Sequence, residues 1–436
     1  MSPDDGASPD LKAALAADLA ASRARSLALL EPLDDADLLR QVSPLMSPLV
    51  WDLAHVGNYE ELWLLRAVAG VPALRPELDS LYDAFEHPRA TRPSLPVLRP
   101  REARAYLSGV RDHALDVLDR TDLEGRELVR DGFVWRMVVQ HEHMHDETML
   151  ATLQLRGGQR SLPPDAPLPR GRDVVPHDDV LVPGGPSTGG TSTDPSALDN
   201  ERPAHPVHLP SFRIDRVPVS NAQYAAFVRA GGYDDVRLWH PTGWAHLQAS
   251  GRRRPMAWAE DLGTLVRFGE VQPVDPAEPV QHVCFWEADA YARWAGRRLP
   301  TEQEWEKACG WDPVAERRRR YPWGDTAPSA ALANLGGAAA RPAQVGAYPA
   351  GASAYGVEQL VGDVWEWTCS GFDPWPGTRS FPYAEYSGVF YGGDFRCLRG
   401  GSWATHPTAV RTTFRNWDLP VRRQVFAGFR TAAAGV

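Results

Sequence analysis

Apolar residues recur at helical spacing through the first third of the chain. Four long segments carry this pattern, at 11–33, 47–68, 101–121 and 131–158. Ser47 and Pro48 suit the N-cap and the first position of the second segment, and Gly157 and Gly158 are typical of a helix end. Four long amphipathic segments with modest connections predict a four-helix bundle over residues 1–158.

The pattern changes after residues 159–178, a segment rich in proline, arginine and aspartate that we interpret as an interdomain linker. Strand-like pieces then alternate with Gly, Pro and Asn turns, as in VLVPGG, HPVHLPSFRIDRVPV and VQHVCFW. Two shorter helices are predicted over SNAQYAAFVRAGG and WEADAYARWAG. Together these features predict an irregular α+β domain over residues 179–436.

Composition narrows the class of protein. The 436 residues are 43% hydrophobic and 23% charged with a formal net charge of −10, which argues against binding to nucleic acid or to anionic membranes. No apolar stretch approaches the roughly 18 residues needed to span a bilayer, and the N-terminal residues lack the features of a signal peptide, so we expect a cytoplasmic protein. The absence of a CxxC pair predicts free thiols rather than a cysteine zinc site. The cysteines are Cys284, Cys309, Cys369 and Cys397.

The segment VVQHEHMHDETML, residues 138–150, places three histidines in five positions of a predicted helix. Side chains four residues apart share a face of a helix, whereas those two apart point roughly 200° away from each other. His141 and His145 therefore form a pair that excludes His143. Such a pair can present two imidazoles to one metal ion, although alone it is more often found as structural or surface histidines.

His55 is a candidate for a third ligand, in the middle of the amphipathic segment WDLAHVG. A histidine in this position is also typical of a hydrogen-bonded core residue. In helical bundles, however, inward side chains of facing helices build metal sites. Three neutral imidazoles without a thiolate suit Zn, Fe, Cu or Ni, and the open coordination positions favour catalysis over a structural role. Asp52, Glu142 and Asp146 are nearby carboxylates that are candidates to orient the ligands.

The second half contains, in this order, the motifs LDNERPAHPVHLPSFRIDRVPVSNAQYAAFV, GRRLPTEQEWEKA, YPWGD, GDVWEWT, LRGGSW and FRNWD…FAGFR. They resemble the formylglycine-generating-enzyme fold, a C-type-lectin-like domain. A DinB-like four-helix bundle with a three-histidine site ahead of such a domain resembles the ergothioneine sulfoxide synthases, also called hercynine oxygenases. The motifs SPLVWDLAHVG, LYDAFEHPRATR, HEHMHDETML and FRNWD match the actinobacterial kind of this family.

The resemblance implies a non-haem Fe(II) centre held by His55, His141 and His145, with O2 as co-substrate. It implies an oxygenase that joins a thiol to carbon 2 of the imidazole of hercynine (Nα-trimethylhistidine) and leaves a sulfoxide, a step of ergothioneine biosynthesis. The implied thiol is γ-glutamylcysteine. Both halves are expected to contribute, the bundle with the metal and the second domain with substrate contacts.

The resemblance also assigns substrate contacts. Arg89 and Arg92 match the positions that bind the thiol substrate, whose two carboxylates suit guanidinium groups, although two solvated loop arginines would be the ordinary interpretation. Asp418 matches the residue that receives its ammonium group. Asn416 and Trp417 match the wall around the charged end of hercynine, where an aromatic face attracts a quaternary ammonium. Trp417 is alternatively a core residue.

Tyr383 matches the active-site tyrosine that is implied to deliver a proton or hydrogen during the oxygen chemistry, and a phenol with a pKa near 10 is a competent donor. Tyr386 is expected beside hercynine, and Tyr391 is a nearby competitor for the role of Tyr383. Met144, also expected beside hercynine, departs from the family, where a polar residue, often Gln, is implied near the imidazole. A thioether is only a weak hydrogen-bond acceptor.

Three alternatives stay open from the sequence. The first is an enzyme on the same scaffold that uses cysteine, histidine as in ovothiol synthesis, or a selenosugar. The second is a formylglycine-generating oxidase, which needs a cysteine pair that VRTTFRNWD lacks. The third is a lectin-like binding module with a structural zinc ion. We expect a monomer or a weak homo-oligomer.

Overall fold

The computed structural model describes residues 7–158 and 160–435, and the chain divides into two compact units between Leu162 and Pro163. The division lies within the proline-rich segment predicted as a linker. Part of this segment belongs to the second unit, because Ala166 N donates to the carbonyl of Ala338 at 2.9 Å. In the described part of the chain, no helix is long and apolar enough to cross a membrane.

The first unit is a helical bundle, as the sequence predicts. Its long helices pack with α1 against α6 and with α3 against both α5 and α6. The helices are α1 (Ala7–Leu30), α2 (Asp35–Leu39), α3 (Leu49–Glu60), α4 (Leu78–Leu81), α5 (Pro100–Arg120) and α6 (Phe133–Arg156). A π-helix over Glu61–Val68 continues α3, and 3-10 turns cover Arg89–Ser94 and Arg130–Gly132.

Two helix ends of the bundle were predicted from local residues, with different outcomes. Gly157 ends α6 with φ +65°, a left-handed conformation that glycine adopts without steric cost. The prediction of Ser47 as an N-cap is wrong. The N-cap of α3 is Pro48, without a side-chain cap, and the hydroxyl of Ser47 accepts a hydrogen bond from Arg92 Nη1 at 2.6 Å. The Ser47 hydroxyl therefore makes a tertiary contact with Arg92 instead of capping the helix.

A ring of alternating charges lies inside the bundle, with one member from each long helix. Arg23 of α1 reaches Glu60 of α3 and Glu142 of α6, each at 2.7 Å. Arg111 of α5 closes the ring on Glu60 at 2.6 Å and on Glu142 at 3.3 Å. All four side chains are buried, and the ring fixes how the four helices face one another.

The second unit is an α+β domain, as the sequence predicts. Its helices are α7 (Asn221–Arg229), α8 (Pro241–Ser250), α9 (Phe285–Trp294) and α10 (Glu302–Gly310). Its strands are β1 (Asp179–Val182), β2 (Gly185–Gly189), β3 (His205–Leu209), β4 (Phe212–Asp215), β5 (Thr264–Arg267), β6 (Glu270–Pro273), β7 (Arg297–Arg298), β8 (Trp311–Asp312), β9 (Arg317–Arg318), β10 (Trp365–Gly371), β11 (Arg396–Arg399), β12 (Asn416–Asp418), β13 (Ala427–Gly428) and β14 (Ala432–Ala433).

Two four-stranded sheets organise this unit, in the orders β1-β4-β14-β7 and β12-β11-β10-β13. Only the β10–β13 pair is parallel among the described strands; β2–β3, β5–β6 and β8–β9 are antiparallel pairs. Trp305 of α10 packs with Phe212 and Ile214 of β4 in the main apolar core. The second sheet ends in β12, which carries three of the predicted substrate-contact residues.

The two predicted short helices are confirmed as α7 and α9, and Ser220 caps α7 by accepting from Gln223 N at 3.4 Å. The strand predicted for VQHVCFW is wrong, because residues 280–284 are irregular and the chain enters α9 at Phe285. A short apolar run does not distinguish a strand from a buried loop and helix start. The four cysteines are free thiols, of which Cys369 is exposed and the others are buried.

Candidate metal centre

The three predicted imidazoles lie together in the first unit. His55 comes from α3, and His141 and His145 come from successive turns of α6. The ring centroids are separated by 4.6 to 5.1 Å, and one ring nitrogen of each lies within 4.8 Å of the other two. Within residues 7–158 and 160–435, this is the one cluster of three or more His, Cys, Asp or Glu side chains placed to hold a metal ion.

Outer contacts fix the tautomers of two of these rings. His55 Nδ1 lies 2.8 Å from the carbonyl oxygen of Tyr82, which can only accept, so Nδ1 donates. His145 Nδ1 lies 3.0 Å from Asp52 Oδ1 and likewise donates to the carboxylate. Both rings therefore keep Nε2 with a free lone pair, the form in which histidine binds a metal.

The electrostatics of the site also favour neutral rings. Burial is the main cause that lowers the pKa of His55 and of His141 well below the ordinary value of 6.5, and the neighbouring imidazoles lower it further. Neutral imidazole is the ligand form for a divalent transition metal. The residues present thus fit such an ion, with three nitrogen donors.

His143 lies apart from this trio, on another face of α6. Its Nδ1 is 3.0 Å from Asp146 Oδ2, and both side chains are buried. Burial, followed by the charge of Arg25, lowers the pKa of His143 to about 3. His143 is therefore a neutral core histidine.

Two aromatic rings contact the metal-ligand candidates. Trp51 stacks on His55 with centroids 4.7 Å apart and planes at 12°. Tyr59 stacks on His141 with centroids 3.7 Å apart and planes at 11°. Sequence reasoning missed both contacts, although the spacing of Trp51, His55 and Tyr59 by four residues already places them on one face of α3.

The two arginines predicted to bind a thiol substrate differ in their surroundings. Arg92 is 4% exposed, donates from Nε to the carbonyl of His87 at 3.0 Å, and lies 3.4 Å from the centroid of Trp51. Burial lowers the pKa of Arg92 to about 10. Arg89 is partly exposed and donates from Nη1 to the carbonyl of Leu45 at 3.1 Å. Met144 is half-buried on α6, between the two histidines of the pair.

The predicted contacts of the second unit form an aromatic cluster. Tyr383 and Tyr386 have ring centroids 6.2 Å apart, and Tyr386 meets Trp417 edge-on at 5.8 Å. Phe372 stacks on Trp417 at 4.1 Å, and Phe390 lies 5.4 Å from it. No pattern in the sequence indicates the two phenylalanines, because each contact joins residues far apart in the chain.

Asn416, Trp417 and Asp418 are consecutive in β12 and pair with β11. Asp418 Oδ1 accepts from the backbone N–H of Leu419 at 2.7 Å and lies 3.4 Å from Arg422 Nε. Burial raises the pKa of Tyr386 well above the ordinary value of 10.0, so this phenol stays protonated. Tyr391 lies 4.9 Å from Phe372 and belongs to the same cluster.

Comparisons with known proteins cover both units of the chain. The DinB superfamily matches residues 18–149, and the sulfatase-modifying factor enzyme 1-like domain matches residues 166–434. The chain is 58% identical to a hercynine oxygenase of Mycolicibacterium smegmatis and 54% identical to one of Mycobacterium tuberculosis, each over 96% of this chain and 98% of that protein. A formylglycine-generating enzyme of Thermomonospora curvata is 33% identical over 58% of this chain and 92% of that protein. The solved structure of PvdO from Pseudomonas aeruginosa is 24% identical with a TM-score of 0.41, over 58% of this chain and 93% of that one.

Proposed function

Because this chain belongs to the hercynine oxygenase family, we propose that it joins hercynine to a thiol in an O2-dependent reaction at the three-histidine site. The chain is an enzyme of the oxygenase class. The observation that carries the proposal is the cluster of three imidazoles with ring nitrogens within 4.8 Å of one another. The similarity to the hercynine oxygenases also supports the proposal, because it extends over 96% of the chain and so includes both units.

The proposed reaction balances without an outside reductant. Hercynine loses the hydrogen on carbon 2 of its imidazole, the thiol loses its hydrogen, and a C–S bond forms. Sulfur also gains one oxygen atom. O2 accepts four electrons, two from C–S bond formation and two from oxidation of sulfur, and its second oxygen leaves as water with the two hydrogens.

We propose Fe(II) as the metal and His55, His141 and His145 as its ligands. Imidazole donors suit iron, and the absence of a thiolate from the described cluster removes the donor that most favours structural zinc. When bound, Fe(II) supplies the one-electron chemistry that activation of O2 requires. The remaining roles belong to side chains of the chain itself.

For the thiol we propose γ-glutamylcysteine, with Arg89 and Arg92 binding its carboxylates and Asp418 its ammonium group. A guanidinium has five N–H donors. Arg92 makes three hydrogen bonds within the first unit and Arg89 makes one to Leu45, fewer than five in each case. Arg89 is the more accessible of the two. Two fixed positive charges favour a thiol with two carboxylates over free cysteine with one.

For hercynine we propose contacts from Met144, Tyr386, Asn416 and Trp417. The perpendicular rings of Tyr386 and Trp417 offer aromatic surface to a trimethylammonium group, an attraction of about 2 kcal/mol when desolvated. We propose that the phenol of Tyr383 holds and donates the proton that the oxygen chemistry consumes. A phenol keeps this proton at neutral pH.

Oxygen uptake tests this function. The full-length protein is loaded with Fe(II) anaerobically and mixed with O2 and hercynine, γ-glutamylcysteine, or both. We expect rapid uptake only with both substrates. Equal uptake with the thiol alone would indicate a thiol dioxygenase, and no uptake in any mixture would indicate a binding module.

A further inference from the structure

Helix α3 contacts all three imidazoles of the metal centre, although it supplies only one of them. Trp51 stacks on His55 of the same helix. Asp52 accepts from His145 Nδ1 at 3.0 Å, and Tyr59 stacks on His141 with centroids 3.7 Å apart. The two ligands of α6 are therefore each held by a side chain of α3.

We propose that Asp52 and Tyr59 are positioning residues of the metal centre: Asp52 sets the tautomer and donor strength of His145, and Tyr59 sets the ring plane of His141. The inference rests on the proposed function only in that the trio binds a metal ion. Neither residue is assigned a contact with substrate.

The surroundings of Asp52 support a role directed at His145. Its side chain is 1% exposed, and its Oδ2 has no hydrogen-bond partner among the described residues. Burying a carboxylate with one hydrogen-bonding side chain is costly even with the positive charge of Arg92 nearby, and His145 is that hydrogen-bonding side chain. A carboxylate behind a ligand histidine makes its other nitrogen a stronger donor. His55 differs, since its Nδ1 faces a neutral carbonyl.

Tyr59 acts on His141 by geometry. Its ring is 7% exposed and lies nearly parallel to the imidazole, at 11°. A ring packed flat at this distance blocks rotation of the imidazole about its Cβ–Cγ bond. The stack therefore keeps the His141 donor pointing at the same place before and after the metal binds, which lowers the entropy lost on binding.

The chain offers a matched control on the opposite face of α6. His143 and Asp146 form a pair with the same Nδ1-to-carboxylate distance of 3.0 Å, but His143 is outside the trio. Asp146→Asn removes a buried carboxyl from the same bundle. The contacts of Asp146 are with His143, Ser26 and Arg25 and with none of the three ligands.

The test uses Co(II) alone, because its visible absorption bands report donor strength and coordination geometry. Full-length wild type, Asp52→Asn, Tyr59→Leu, Tyr59→Phe and Asp146→Asn are titrated with Co(II), and their folding is checked by circular dichroism. We expect Asp52→Asn and Tyr59→Leu to raise the Kd about 10–100-fold and to shift the bands. Tyr59→Phe, which keeps the stack, should restore the wild-type spectrum, and Asp146→Asn should not shift it.

The outcomes separate this inference from the proposed function. If wild type binds no Co(II), the three-histidine metal centre itself is wrong. If wild type binds Co(II) and both Asp52→Asn and Tyr59→Leu match its Kd and spectrum, the positioning role is overturned. If Asp52→Asn does not fold, Asp52→Glu replaces it, since a displaced carboxylate should still shift the bands. An unshifted spectrum in that variant overturns the role of Asp52.

Discussion

His143 differs from its two neighbouring histidines in where its ring lies, and this difference makes the metal assignment testable residue by residue. His141→Ala, His145→Ala and His55→Ala should each lose bound Fe(II), because two imidazoles hold a divalent ion far more weakly than three. His143→Ala should keep it. Iron is measured by mass spectrometry of protein loaded anaerobically and desalted. Loss of iron from His143→Ala together with its retention in His141→Ala would contradict the assignment.

Arg89 tests the identity of the thiol. Each charge-assisted hydrogen bond typically contributes about 1.5–3 kcal/mol, so Arg89→Ala should lower kcat/KM for γ-glutamylcysteine roughly tenfold or more. Arg89 suits this test better than Arg92, whose guanidinium is buried against Trp51 and whose removal would also disturb the bundle. The kcat/KM for cysteine is the internal comparison. Equal values for the two thiols in the wild type would exclude the proposed preference.

Tyr383 tests how the oxidant is divided between two products. Without a proton donor, we expect O2 to oxidise the thiol alone to a sulfinic acid instead of forming the C–S bond. Tyr383→Phe should therefore retain iron and both substrates but shift the products toward the sulfinate, as quantified by NMR. Tyr355→Phe, at the edge of the apolar core of the second unit, is the matched control. An unchanged ratio of sulfoxide to sulfinate would contradict this role of Tyr383 and make Tyr386 or Tyr391 the next candidate.

The sequence predicts ligands better than it predicts their outer contacts. His141 and His145 follow from helical spacing, His55 is a candidate from its place in a bundle helix, and the family resemblance implies the same three residues. The carbonyl of Tyr82 that accepts from His55 has no side-chain signal in the sequence. Asp52 is a candidate to orient a ligand, but the sequence does not indicate that its partner is His145, 93 positions away. Such contacts depend on how helices pack, which single-helix periodicity does not contain.

Among the helices and strands, the charged ring of the bundle predicts how stability depends on pH. Burial opposes ionisation of Glu142, but Arg23 and Arg111 outweigh it, so its pKa is lowered from the ordinary 4.5. A carboxyl with a lowered folded pKa stabilises the fold above its unfolded pKa and loses this contribution as pH falls through the folded value. The free energy of unfolding of the bundle should therefore decrease as the pH is lowered below about 4.5.

Glu142→Gln should remove part of that pH dependence and destabilise the bundle by about 3–5 kcal/mol, because it leaves two buried guanidinium groups with one carboxylate. Since the chain has two units, hydrogen exchange of peptides from α6 in urea reports this unit alone. The exposed Glu124→Gln is the control and should change stability by less than about 0.5 kcal/mol. Equal exchange in Glu142→Gln and wild type at pH 7 would show that the ring contributes nothing.

Elements with local signals were predictable, and those that depend on packing were not. Gly157 ends α6 where the sequence places it, and Ser220 caps α7. The π-helix after α3 was not predicted, because its apolar residues also fit an α-helical period. It is held by tertiary bonds of Glu61, which accepts from Tyr106 at 2.6 Å and from the N–H of Leu74 at 2.7 Å.

In the whole molecule, the order of the sequence motifs predicts the fold of the second unit, which the spacing of apolar residues does not. The irregular second unit has short strands, several of only two residues, whose pattern is too brief to define a sheet. Its fold follows from the resemblance instead, and the family matches over residues 18–149 and 166–434 agree with it. Residues after Leu162 pack on the second unit through contacts, such as Gly171 N with Gln344 Oε1 at 3.0 Å, that no local pattern indicates.

In the proposed reaction, carbon 2 of the hercynine imidazole becomes bonded to sulfur, and one oxygen atom of O2 is placed on that sulfur. The most direct measurement is mass spectrometry and proton NMR of the product formed by Fe(II)-loaded, full-length protein from hercynine and γ-glutamylcysteine under isotopically heavy O2. We predict a product with the mass of both substrates less two hydrogens plus one heavy oxygen, and without the imidazole carbon 2 proton. A product that retains this proton, or that contains no heavy oxygen, would contradict the proposed reaction.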